Sequence, residues 1–125
     1  MREITRDELL AKIQGGDDFA LVDALAPISF AASHLPGAIN LPPRWVEERA
    51  AAKIPNLETE IVVYCSGVTC DSSVLAAEAL EALGYRNLVH YRGGKEDWVA
   101  AGLPLEGGRV PSGARAGPDP GDRRS

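Results

Sequence analysis

Short apolar runs, amphipathic stretches and glycine breaks succeed one another along this chain and divide it into predictable elements. Thr5-Arg6-Asp7-Glu8 has the spacing of a capping box, and Leu9, Leu10 and Ile13 follow as one apolar stripe of a helix. Gly15-Gly16 ends that helix, because glycine supplies the left-handed exit conformation. Phe19-Ala20-Leu21-Val22 is a continuous apolar run of the buried-strand type, ending at Asp23. Ser29 to Ser33 predicts a short helix, His34-Leu35-Pro36-Gly37 a turn, and Ala38-Ile39-Asn40-Leu41 a strand. Pro42-Pro43 opens a helix that holds Trp45, Val46 and the Glu47-Glu48-Arg49 run, an ordinary solvated face.

Ile61-Val62-Val63-Tyr64 is the strongest strand signal; β-branched and unbroken, it predicts a central strand buried on both faces. Ser72 to Leu83 is the strongest helix, with Leu75, Ala79, Leu80 and Leu83 expected on one side and Gly84 as its stop. Leu88-Val89-His90-Tyr91 is a further strand, and Gly93-Gly94 opens a last helix through Trp98 that closes at Gly102. Strands alternating with helices predict a parallel sheet covered on both faces. Residues 1–106 form the expected domain. The remainder, 107–125, is Gly, Pro, Arg, Asp and Ser with almost nothing to bury, and is expected to be a disordered tail.

Composition narrows the class. At 125 residues there is room for one domain plus a tail, and with two Trp, three Tyr and two Phe the core must be mainly aliphatic. A net charge of −5 argues against a nucleic-acid partner, which calls for a clustered basic face. No apolar run approaches the roughly 18–20 residues of a membrane span. The first eight residues lack the apolar stretch of a secretory signal, so a cytoplasmic location is expected. Two cysteines in a reducing compartment point to a reactive or metal-binding role rather than a structural staple.

The candidate site follows from the order of elements. Ligands in open α/β sheets collect beyond the carboxyl ends of the strands. There the strongest strand runs into the strongest helix through Cys65-Ser66-Gly67-Val68-Thr69-Cys70-Asp71-Ser72-Ser73. Such a loop can turn successive amides inward at the positive end of a helix and form an anion nest. A cysteine held there is expected to ionise more easily than a free one, which suits a nucleophile at Cys65 with residues 66–71 as its anion-binding loop.

Three segments then resemble the rhodanese family, in order and at about the family's spacing, over residues 3–106. Ser33-His34-Leu35-Pro36-Gly37-Ala38-Ile39-Asn40-Leu41-Pro42 is similar to its G-H-[IL]-P-G-A-x-N-[LI]-P signature. Val62-Val63-Tyr64-Cys65 is similar to the strand that delivers its catalytic cysteine. Gly84-Tyr85-Arg86-Asn87-Leu88, Arg92-Gly93-Gly94-Lys95-Glu96-Asp97-Trp98 and Ala101-Gly102-Leu103-Pro104 resemble its closing segments. The resemblance implies a three-layer α/β/α fold around a mainly parallel five-stranded sheet. It also implies sulfane-sulfur transfer: the Cys65 thiolate takes sulfur from thiosulfate or a persulfide and passes it to a thiol or cyanide. The implied partners are thus a small sulfur donor and a thiol acceptor, with no cofactor.

The loop departs from the common C-x-x-G-x-R-S form and resembles instead a minor variant, C-x-G-x-x-C-x-x-S. No Arg occurs between Cys65 and Leu83, and Asp23-Ala24-Leu25 stands where Asp-Val-Arg is common. Two alternatives therefore stay open: a non-catalytic binding or redox-sensing module, and a phosphatase or arsenate reductase. The latter needs an Arg where Asp71 stands.

Cys70 is either a small apolar residue at the helix start or a second thiol that closes a disulfide with Cys65. Asp23 either orders the site through backbone contacts or is an exposed loop carboxylate. Arg92 either attracts an anion or is a solvated surface charge. His34 is expected to fix its turn, and His90 to be a packed or edge histidine; their separation fits no usual zinc spacing, so no metal is expected. Trp45 and Trp98 are expected packing anchors.

Overall fold

Thr5 starts the first helix by the reciprocal contacts its spacing predicts. Its hydroxyl accepts the Glu8 amide at 3.1 Å, and the Glu8 carboxylate accepts the Thr5 amide at 2.9 Å. The computed structural model describes residues 1–107. In chain order the elements are β1 (Arg2–Glu3), α1 (Arg6–Gly15), β2 (Ala20–Asp23), α2 (Pro27–Ala32) and β3 (Ile39–Asn40). They continue with α3 (Pro43–Lys53), β4 (Glu60–Tyr64), α4 (Ser72–Ala82), β5 (Asn87–His90) and α5 (Gly94–Ala100). The expected tail beyond residue 107 lies outside the described residues.

All four strand pairings are parallel and give one five-stranded sheet in the order β1-β5-β4-β2-β3. β4 is central, as its β-branched run predicts. Its side chains alternate between two cores. Ile61, Val63 and Cys65 join Val46, Ala50, Ala76, Ala77 and Leu80 on the α3 and α4 face. Val62 and Tyr64 join Leu9, Leu35, Tyr91 and Trp98 on the α1 and α5 face. Two covered faces make the three-layer α/β/α arrangement.

Three details differ from expectation. β1 was not signalled by any apolar run, because it is two exposed residues tied into the sheet only through Val89 and His90 of β5. The buried face of α4 is Ser73, Ala76, Ala77 and Leu80, whereas Leu75 is 50% exposed. Small side chains beside Leu80 let the helix approach the sheet closely, while Leu75 and Leu83 are turned outward. Trp98 is fully buried, but Trp45 is only half-buried, with the Arg49 guanidinium 3.6 Å above its ring.

Candidate functional site

β2 and β4 run side by side with Asp23 opposite Tyr64, and β4 delivers Cys65 one residue beyond its end. Cys65 is 2% exposed. Its thiol lies 3.3 Å from the Cys70 carbonyl oxygen and 3.2 Å from Ser73 Oγ, both acceptors for its single proton. Ser73 Oγ is in turn 2.8 Å from His90 Nε2. His90 is 9% exposed, and burial holds its pKa below the usual imidazole value, which keeps the ring neutral. A buried chain of polar atoms therefore runs from the Cys65 sulfur through α4 to β5. His90 is packed, as expected, but its partner lies 17 residues away in sequence and nothing local signals it.

The loop carries its amides inward, though not onto one sulfur. The Ser73 amide faces Cys65, whereas the amides of Ser66 and Ser72 face Cys70. Burial pushes the Cys65 thiol up, and its contact with Cys70 adds to that, so the expected easy ionisation of Cys65 does not hold in this geometry. Burial works against ionisation at Cys70 too. There the Cys65 thiol and the two serine amides outweigh it and bring Cys70 down to about 7.

Of the remaining predicted loop residues, Gly67 is buried and Ser66 half-buried, while Val68, Thr69 and Asp71 are exposed. Cys70 N–H donates to Gly67 O at 3.1 Å, and this turn brings the chain back over Cys65. The loop is clasped from outside by the start of α5. Lys95 N–H donates to Cys65 O at 2.9 Å and Glu96 N–H to Ser66 O at 2.8 Å, so loop carbonyls accept the free amides of that helix. Gly94 makes the approach feasible. Its φ is +66°, and a Cβ there would lie 2.6 Å from Cys65 O and 2.9 Å from Gly67 N. The Gly93-Gly94 pair was visible in the sequence as a helix start; its contact with the Cys65 loop was not.

Asp23 is fully buried rather than an exposed carboxylate. It accepts the Tyr64 hydroxyl at 2.7 Å and the Leu25 amide at 2.8 Å, and Tyr64 Oη accepts the Leu35 amide at 3.0 Å. Burial lifts its pKa above the ordinary range, against the pull of the Tyr64 and Leu25 donors. It orders the segment after β2, not the Cys65 loop directly. Arg92 is exposed and 4.0 Å from the Glu3 carboxylate. His34 Nδ1–H donates to Phe30 O at 2.8 Å, and the ring stacks on Phe30, which holds the end of α2 in place.

A groove of about 500 Å³ opens beside the loop, lined by Leu25, Ser29, Ser66, Lys95, Glu96 and Val99 among others. Lys95 supplies its positive charge, with Nζ donating to Ser33 O at 2.6 Å. Sequence reasoning passed over Lys95 and Glu96 because only the Gly94 clasp brings them to Ser66. A larger cavity of about 680 Å³, lined by Val74, Ala77, Tyr85 and Leu88 among others, shares no residue with the loop. Among the described residues no group of three or more His, Cys, Asp or Glu side chains is gathered to hold a metal ion. Among the described residues no helix is long and apolar enough to cross a membrane.

Comparison with known proteins agrees with this arrangement. A sulfurtransferase of Allochromatium vinosum is 31% identical over 106 residues, which cover 84% of this chain and 94% of that protein. The HTH-type transcriptional regulator Rv0324 of Mycobacterium tuberculosis is 34% identical over 105 residues, 84% of this chain, but the match spans only 45% of the regulator's length. The crystal structure of the BH2092 protein of Bacillus halodurans superposes with a TM-score of 0.79 at 27% identity, covering 86% of this chain and 77% of that one. The rhodanese-like domain model matches residues 5–101, and the chain belongs to the rhodanese-like domain family.

Proposed function

We propose that the protein is a sulfurtransferase that carries sulfane sulfur as a persulfide on Cys65. The observation that carries this reading is the position of Cys65: it follows the central strand directly, under a loop whose carbonyls are pinned by α5 and beside a groove that carries the Lys95 ammonium. The family match and the Allochromatium vinosum sulfurtransferase support the same chemistry.

In the first half-reaction the Cys65 sulfur attacks the outer sulfur of the donor. With thiosulfate, the S–S bond of the donor breaks, sulfite leaves with the electron pair, and Cys65–S–S⁻ forms. With a small-molecule persulfide, a thiolate leaves instead. The Ser73 hydroxyl and backbone beside the sulfur favour its ionised form and offset part of the cost of burying that charge. In the second half-reaction an acceptor thiolate or cyanide attacks the outer sulfur and releases the Cys65 thiolate. The Ser73 amide and the start of α4 stabilise the negative charge in both steps.

The groove shapes donor preference. Leu25, Val99 and Ala100 give it an apolar wall, and its single cation is already engaged by Ser33 O. A dianion such as thiosulfate finds little compensation there, so a small-thiol persulfide is the preferred donor. A donor panel with cyanide as acceptor tests the reading: thiocyanate should form faster from the persulfide than from thiosulfate, and not at all with Cys65→Ala.

Two observations favour a different reading. The 2% exposure of Cys65 and its raised pKa suit a non-catalytic module that binds a partner or senses redox state. That reading requires no thiocyanate and no sulfur on the protein with any donor.

A further inference from the structure

Cys70 is not consumed by the sulfur-transfer cycle, yet it is built into the site. The Gly67–Cys70 turn folds the loop back until the Cys70 main chain stands 3.3 Å from Cys65 Sγ, which sets the second thiol beside the first. Both cysteines are free in the structure. Cys65 is sealed in the core, whereas Cys70 is half-buried at the rim, with the Ser66 and Ser72 amides turned toward its sulfur. An apolar filler at a helix start needs no such donors.

We propose that Cys70 resolves the persulfide on Cys65, releasing sulfide and closing a Cys65–Cys70 disulfide when no acceptor thiol takes the sulfur. This rests on the reading that Cys65 carries the sulfane sulfur. The Cys70 thiolate attacks Cys65 Sγ in Cys65–S–SH. The inner S–S bond breaks, the outer sulfur leaves with the electron pair as HS⁻, and the new bond joins the two cysteine sulfurs. The outer sulfur is reduced by two electrons and the two cysteine sulfurs supply them, so no other oxidant is needed. Two equivalents of an external thiol reopen the disulfide by exchange.

Three features favour attack at the inner sulfur. It is the atom that the turn sets against Cys70. The attacking thiol titrates at about 7, near the value at which thiolate fraction and nucleophilicity are jointly greatest at neutral pH. The tether is four intervening residues already folded, so the reacting groups need little further ordering. The consequence is a timed carrier: a loaded chain either meets an acceptor or discharges sulfide and stays locked until a reductant arrives.

The test uses the full chain under anaerobic conditions, loaded with a persulfide of a small thiol, freed of donor and followed by intact mass and by a sulfide assay. The wild-type chain is expected to become two hydrogens lighter than at the start, with one sulfide released per chain. Cys70→Ser is expected to remain one sulfur heavier for at least about tenfold longer and to release none, since the intramolecular nucleophile is gone. Cys70→Ala serves as a second variant that removes hydrogen-bonding capacity as well. The inference is overturned if wild type holds its added sulfur as long as Cys70→Ser does, or if fragmentation maps that sulfur to Cys70. Failure of Cys70→Ser to gain any sulfur sinks the carrier reading itself, and this inference with it.

Discussion

β2 and β4 are neighbours in the sheet, and each ends on a buried ionisable side chain, yet the two ends are built for opposite purposes. Asp23 has strong partners for both its oxygens: the Tyr64 hydroxyl at 2.7 Å and the Leu25 amide at 2.8 Å. Asn40 adds two bonds to the surrounding main chain, at Asp23 O and Leu25 O. Cys65 has only weak sulfur contacts, at 3.2 and 3.3 Å, on a loop whose next residues reach the surface. A carboxylate with its lone pairs occupied is a lock. A thiol with a polar chain behind it and a second thiol in front can react.

Removing each end separates the two roles. Asp23→Ala strands the Tyr64 hydroxyl and the Leu25 amide in the core and is expected to cost about 3–4 kcal/mol in denaturant unfolding. If the loss is under about 1 kcal/mol, the lock is not one. Gly94→Ala follows at about 2–3 kcal/mol, because a side chain at positive φ is strained and its Cβ meets loop main chain that cannot give way. The same variant should also lose sulfur loading, since the clasp holds the loop. Cys65→Ala is expected to change stability by about 1 kcal/mol or less, as a small side chain with weak contacts, while abolishing sulfur transfer entirely. Equal destabilisation by Asp23→Ala and Cys65→Ala would erase the contrast.

The smallest effect is kinetic and sharpens the Cys65 end. Alkylation of Cys70 by a small neutral reagent should rise with pH through a midpoint at about 7, as the thiolate fraction grows. Cys65, held protonated by burial, should label later and slowly over the same range. A single high midpoint for both would mean that the serine amides do not act on Cys70.

How much of this the sequence disclosed depends on the range of the interaction. The Thr5–Glu8 capping box, the unbroken β-branched run of β4 and the glycine at position 16 act within a turn or two, and each led to its element. The buried face of α4 was legible only at Leu80 and Ala79, because leucine dominates a periodicity pattern while Ser73, Ala76 and Ala77 fill the rest of the seam. Cys65 was legible as a strand-to-helix residue. Its pKa was not, since that depends on which sulfur each amide faces. Gly94, Lys95 and His90 reach the site only through sheet order and helix packing, and no local pattern encodes those contacts.

Sulfur mass on one cysteine tests the central claim most directly. In the Cys70→Ser background, where a persulfide cannot be resolved internally, exposure to a small-thiol persulfide should add one sulfur that peptide fragmentation assigns to Cys65. Adding Cys65→Ala should leave the mass unchanged. A sulfur adduct that survives the loss of Cys65 would contradict the account.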